Sequence, residues 1–326
     1  MTMSHKKFTK FSERVGIKKQ TEEFDFFDIL FRKDSKFFVD PVLIKVAAER
    51  EGEYQHLFIR MKRNIDTFFE EVLNELKKTS LRKSLFNYSG ETQATFLGYS
   101  SEATPGKGNS PKILMDAFRY VQSKELVKLK IITQLEQMTL YTHAFSYDRM
   151  SDLIISLIRL ELAEFSLMQS QKYGFEEVHV SKEERVVGHR WDADLRKWIK
   201  FSSRVINPDA VQVLLIPNEI VTRKMVYDPQ KFLSSVLYRK QQEYKAAGVM
   251  TTEKSDGEVV GPSYKQIREV DIKDQGLKVK EYLINEYSPS DLKSFKSDVM
   301  HRINKSPAGL SSEEVDAYRK KDFKQA

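Results

Sequence analysis

The chain of 326 residues carries 54 Lys and Arg against 47 Asp and Glu, a formal charge of +7, and its 40% hydrophobic content suffices for the core of one large or two smaller domains. With no cysteine, thiolate zinc sites, disulfide frameworks and cysteine nucleophiles are excluded. Its 13 glycines and 9 prolines are few for this length, which favours helices over a turn-dense β-sandwich.

The basicity is local. Six Lys and Arg and one acid, Glu13, fall in residues 1–20, leaving 48 bases against 46 acids in the nearly neutral remainder. This basic arm can touch phosphates, but a solvated, poorly ordered segment is its simpler reading. Phe8 and Phe11 stand isolated among charges, unlike a signal peptide, and no window approaches the roughly 18 apolar residues of a spanning helix. A cytoplasmic location and no membrane association are therefore expected.

In chain order, the aromatic and β-branched stretches 24–31 and 36–39 flank Asp34-Ser35 and predict a β-hairpin. Asp40-Pro41 then reads as a helix cap and first position. Leu57, Phe58, Met61, Ile65, Phe68, Phe69, Val72, Leu73 and Leu76 predict an amphipathic helix over 54–78. A strand is expected at 93–99, a small-residue loop from Gly98 to Pro111, helices at 111–121 and 124–138, and a short strand at 140–145. Asp148 or Ser151 would cap a helix running through the apolar stretch Leu153 to Met168. Short strands follow at 175–180, 185–191, 197–202 and 211–216, the last stopped by Pro217. Asp228-Pro229 opens a helix over 229–246, and 249–262 reads as a loop. Ser288-Pro289-Ser290-Asp291 and the capping box Ser311-Ser312-Glu313-Glu314 start two more helices. The fold class is α+β: a flexible arm at 1–20, a mixed α/β body with short, mostly antiparallel strands at 21–217, and a helical C-terminal region at 218–326.

Four groups of residues bear on chemistry. Gly106-Lys107-Gly108-Asn109-Ser110 lies between a predicted strand and helix, the setting of a phosphate loop. It lacks the hydroxyl residue after the lysine that a P-loop needs, so a looser anion-binding loop or a surface loop is what remains. Asp28 in one predicted strand and Asp40 at the end of the next would approach each other across the hairpin and could hold Mg²⁺, with Asp25 a further candidate. The exposed face of an edge strand explains Asp28 equally well. Asp148-Arg149-Met150-Ser151-Asp152 concentrates carboxylates and a phosphate-binding arginine beside an apolar helix, although helix capping accounts for most of it. Gly188 to Trp198 mixes bases with both tryptophans, either a nucleobase-stacking surface or a tight hairpin with the tryptophans packed across it. Asp271-Ile272-Lys273 matches the restriction-nuclease triplet, a coincidence expected in a highly charged chain. The six dispersed histidines form no zinc pair, and there is no Gly-x-Ser-x-Gly elbow.

The succession Phe37-Phe38-Val39-Asp40-Pro41, Leu97-Gly98-Tyr99-Ser100 leading to Gly106-Lys107-Gly108, Asp148 to Asp152, and Leu214-Leu215-Ile216-Pro217 resembles a group of largely uncharacterised bacterial proteins of restriction and phage-defence gene islands, over roughly residues 20–245. The resemblance implies a context, defence against foreign DNA, and carries over no residue roles. In that context the chain is expected to act on or sense nucleic acid. If it is catalytic, metal-assisted phosphodiester hydrolysis is expected, with Asp28 and Asp40 on magnesium and Asp148 and Asp152 as further catalytic carboxylates. Lys107 or Arg149, with Gly106 and Gly108, would then meet phosphate. The near-neutral body makes a partner subunit expected, and no small-molecule cofactor is evident. The alternative is a non-enzymatic adaptor whose helical C-terminal region docks a partner ATPase or nuclease.

Overall fold

Aspartate before proline starts two of the helices, because the carboxylate accepts from the free amides of the first turn while proline gives up an N–H that has no partner there. Asp40 Oδ1 takes the Val42 N–H at 2.8 Å, and Asp228 Oδ1 takes those of Gln230 and Lys231 at 2.8 and 2.9 Å. The computed structural model describes residues 9–17, 24–78, 81–90, 93–98, 110–305 and 310–324.

Along the chain lie α1 (Phe11–Arg14), β1 (Phe38–Val39), α2 (Pro41–Glu49), α3 (Gln55–Lys77), α4 (Pro111–Ser123), α5 (Met138–Tyr141), α6 (Tyr147–Leu157), α7 (Arg159–Lys172) and α8 (Glu176–His179). They are followed by β2 (Arg185–Asp192), β3 (Lys197–Ser203), β4 (Val221–Thr222) and α9 (Pro229–Ala246). The remainder comprises β5 (Thr252–Glu253), β6 (Val259–Val260), α10 (Tyr264–Arg268), α11 (Val279–Asn285), α12 (Pro289–Lys305) and α13 (Ser312–Lys324). The fold is α+β, with small two-stranded antiparallel sheets pairing β1 with β4, β2 with β3 and β5 with β6, and a helical C-terminal region. Two compact units share the chain discontinuously. The first takes the described residues of 1–119, 146–225 and 307–326, the second those of 120–145 and 226–306.

In the first unit the expected 24–31/36–39 hairpin does not form. Phe26 bridges Pro217, Leu30 bridges Lys10, and β1 pairs with β4 in the register Phe38–Thr222 and Val39–Val221. An aromatic segment with both faces buried is satisfied by any extended neighbour, and here distant ones supply the hydrogen bonds, such as Phe27 N–H to Ile216 O at 2.8 Å. Residues 9–17 of the basic arm are packed rather than loose: Phe11 is fully buried, edge-on to Phe26 and Phe175. The strand expected at 93–99 is a 3₁₀ turn over Gln93–Thr95 followed by a single Ser35–Leu97 bridge.

The apolar stretch after 148 is capped by Ser146, which accepts from Arg149 N–H, and breaks at Ile158 into α6 and α7. Asn64 Nδ2 then reaches the carbonyl of Leu157 at 3.4 Å and the carboxylate of buried Glu161 at 3.2 Å. Ser151, a predicted cap, instead accepts the Val39 N–H at 2.9 Å. Residues 176–179 are helical, and 211–216 are extended without a ladder: Val213 bridges Ile206, while Leu214 and Leu215 donate to Ala94 O and Ser166 Oγ.

The amphipathic helix at 55–77 and the 185–203 hairpin appear as expected. Trp191 pairs with Trp198 across the hairpin at 5.7 Å, packs edge-on against Phe68 of α3 at 5.2 Å, and donates Nε1–H to Thr67 Oγ1 at 3.1 Å.

In the second unit, Phe232 of α9 packs against Phe295 of α12 at 5.1 Å and Tyr141 of α5 at 6.1 Å. The helix expected at 124–138 and the strand at 140–145 give way to turns and α5, and the loop at 249–262 contains the β5–β6 pair. Arg239 joins α9 to Asp291 at 2.7 Å and to the carbonyl of Glu286 at 2.9 Å. Asp271, from the nuclease-like triplet, sits in a π-helical turn and accepts from Tyr244 and Tyr282 at 2.6 and 3.2 Å, while Lys273 pairs with Glu269. Lys280 turns inward and donates to the carbonyls of Thr142 and Phe145 at 2.9 and 3.4 Å; burial draws its ammonium down to about 8, against the pull of Asp228.

Trp191→Ala removes a fully buried indole, and the expected loss is about 3–5 kcal/mol by urea denaturation. A loss below about 1 kcal/mol would contradict the packing described for the hairpin. For Lys280, the folded protein releases a proton above about pH 8 that the unfolded chain keeps until its ordinary value of 10.5, so stability gains from this group as pH rises through that interval. Urea midpoints of wild type relative to Lys280→Met, taken below about pH 9 where phenols are still protonated, are expected to rise with pH; a flat difference would refute the assignment.

Candidate functional site

Asp28 and Asp40 have separate partners. Asp40 is buried at the start of α2, where its carboxylate caps the helix and its N–H donates to Ile220 O at 3.0 Å. Asp28 accepts from Ser12 twice, from the N–H at 3.0 Å and the hydroxyl at 2.7 Å. Burial pushes its carboxyl above the ordinary value, against the Ser12 hydrogen bonds and the charges of Lys10 and Arg319. The pairing expected to bring the two acids together is replaced by the β1–β4 pairing and the Lys10–Leu30 bridge. Among the described residues, no group of three or more His, Asp or Glu is placed to hold a metal ion.

Asp148 stands against the backbone of Gly98: a Cβ there would lie 2.5 Å from Asp148 Oδ1, and the φ of +114° favours glycine in any case. Arg149 is half-buried in the first turn of α6, and Asp152 is buried within the same helix, its carbonyl accepting from Ser156 Oγ at 2.9 Å. Gly106, Lys107 and Gly108 lie outside the described residues. Asp25 belongs to a closed network: its carboxylate accepts from Tyr54 OH and Lys172 Nζ, both at 2.6 Å, Lys172 also reaches Glu53 at 3.1 Å, and Gln169 donates to Tyr54 at 3.0 Å. Burial and the Asp25 hydrogen bond hold the Tyr54 phenol up at about 12, the reverse of what a phenolic base requires.

Asp28 does line a recess, in company that the sequence did not suggest. It is lined by one group from the early and middle parts of the chain, Lys10, Phe26, Phe27 and Asn218, and by a second group, Leu310, Val315, Asp316 and Arg319. The second group comes from α13 and the residue preceding its cap. That helix starts as its capping box predicts, with Ser311 N–H on Glu314 Oε2 at 3.0 Å and Glu314 N–H on Ser311 Oγ at 3.2 Å. Val315, Arg319 and Asp322 then recur on one face. Lys10 holds Asp316 at 2.8 Å, and Arg319 donates to the carbonyl of Asp28 at 2.7 Å while its guanidinium lies 5.3 Å from the Phe27 ring. Arg223 grips Asp322 through two bonds of 2.7 and 2.6 Å and is flanked by the rings of Tyr318 and Phe37.

The arrangement is suited to binding a helix by paired charges around a buried arginine. Arg319 is only 6% exposed, and its Nε has no hydrogen-bond partner, so burial lowers its guanidinium from the ordinary value despite the nearby Asp28 and Asp316. A buried cation is tolerated only where the surrounding oxygens and ring faces compensate. Arg223 and Arg319 escaped the sequence reading because neither lies in a local pattern; each acquires its role from a segment about 100 or more residues away.

No curated protein and no solved structure matches the chain. Residues 16–228, more than half of its length, match the family model described as a domain of unknown function, DUF8370, and so contain Asp28, Asn218 and Arg223 but not α13; the chain belongs to that family.

Proposed function

We propose that the chain is a non-catalytic interaction protein, an adaptor whose family domain recognises an amphipathic helix through the Asp28 recess. The observation that carries this reading is the seating of α13, from outside the span matched by the family, on side chains from within it: Arg223 on Asp322 and Asn218 on the carbonyl of Leu310 at 3.2 Å. Capture of a helix by bidentate arginine and a buried guanidinium gives specificity of register, since a one-residue rotation misplaces every charge. In a restriction or phage-defence setting, such a module would couple a partner ATPase or nuclease to its target.

Two measurements test the reading. Arg223→Asp and Asp322→Arg are each expected to release α13, detected as faster proteolysis around residues 305–312. The double exchange restores protection, with a coupling of about 1–3 kcal/mol. A peptide of residues 310–324 is then expected to bind the chain truncated before Leu310, with affinity that falls as salt rises, once a thermal melt shows that the truncated chain is folded. Absence of both coupling and peptide binding would overturn the adaptor reading. The hydrolytic alternative is assayed with plasmid and single-stranded DNA in Mg²⁺ or Mn²⁺ against EDTA. Metal-dependent cleavage abolished by Asp28→Asn or Asp40→Asn would replace the adaptor with a nuclease.

A further inference from the structure

The Gly188–Trp198 segment mixes aromatic rings and bases, and packing uses the tryptophans. The ring that lies beside them is only partly covered. Tyr88 stacks on His189 with centroids 3.5 Å apart and planes within 12°, and Trp198 stands edge-on to it at 6.2 Å. Trp198 Nε1–H donates to Leu85 O at 2.8 Å, fixing the turn that carries Tyr88 against the hairpin. With one face on the imidazole and Trp198 at its edge, Tyr88 is still 41% exposed, leaving ring surface open to solvent.

The charge around this tier is positive. Lys200 lies directly across the ladder from His189, and the guanidinium of Arg159 reaches the His189 carbonyl at 3.3 Å. That approach requires Gly188, whose φ is +142° and whose Cβ would meet Arg159 Nη1 at 2.7 Å, at the place where the ladder register shifts. Burial first, then Lys200 and Arg159, lower the His189 imidazole below its ordinary value, so the ring stacks in its neutral form at neutral pH. Three ion pairs match charges elsewhere in the hairpin: Arg190 with Asp192, Arg196 with Glu70, and Arg63 with Asp194. Lys182, Arg185, Lys197 and Lys200 have no acidic partner among the described residues, against two unpaired acids, Glu183 and Glu184, ahead of the strand.

We propose that the Tyr88–His189 tier with Lys200 is a contact surface for single-stranded nucleic acid. A base would stack on the open surface of Tyr88 and the adjoining phosphate would meet Lys200. An exposed planar ring beside an unmatched cation suits an unstacked base and its phosphate; duplex DNA offers the charge but no free base face. The surface is separate from the α13 recess, so failure of either proposal leaves the other standing.

The test is fluorescence anisotropy of the full chain with a labelled oligothymidylate of about 20 nucleotides, the matching duplex, and polyglutamate of similar charge. The single strand is expected to bind more tightly than the duplex and polyglutamate. Tyr88→Ala is expected to weaken binding by between about fivefold and 150-fold, whereas Tyr88→Phe retains it. Lys200→Glu should weaken binding and flatten its dependence on salt between about 50 and 200 mM. Both positions are exposed, and thermal melts confirm that the variants fold. No binding at the lower salt, equal binding of duplex or polyglutamate, or indifference to both Tyr88→Ala and Lys200→Glu would overturn the proposal.

Discussion

The first unit depends on backbone pairing between an early aromatic segment and residues some 190 positions later. Phe27 donates to Ile216 O, Asn218 donates to the carbonyl of Asp25, and Asp40 donates to Ile220 O. Buried amides must find partners, and a segment with both faces covered cannot take them from water. These few long-range bonds set Asp28 at the edge of the recess and Asp40 at the head of α2. They also bring Asn218 and Arg223 to the positions from which they hold α13. Loop closure over that distance has an entropic cost, which burial of the aromatic cluster of Phe11, Phe26 and Phe175 helps to offset.

Local signals in the sequence translated well because their physics is local. Asp40-Pro41, Asp228-Pro229 and Ser311–Glu314 act on amides two or three residues ahead, and the 57–76 periodicity needs nothing beyond a helix with one buried side. The Trp191–Trp198 pairing followed from a short turn in the same way. Segments rich in β-branched and aromatic residues were harder, since extended character says nothing about which strand is the neighbour. Residues 24–31 and 211–216 are extended and 93–95 form a 3₁₀ turn, yet in all three places single bridges and side-chain acceptors such as Ser166 Oγ replace the ladders their composition suggests.

The candidate site was legible by half. Asp28 stood out as an acid in an apolar segment, and it does line the recess. Its chemistry depends on Ser12, Lys10 and Arg319, none of which its own neighbourhood reveals. Asp148 is read more fully through Gly98 than through its own helix, because the glycine's missing side chain makes room for the carboxylate. Tyr88 lay outside every motif; only the fold of the hairpin shows that it completes an aromatic tier.

The discontinuity of the two units bears on how the protein is made. Synthesis of residues 120–145 is followed by 80 residues of the other unit before their partners in 226–306 emerge, and Arg319 is translated later still. The apolar surface of residues 120–145 therefore stays unburied until their partners in 226–306 have been made. Unburied apolar surface of this kind favours premature association while a chain is being synthesised.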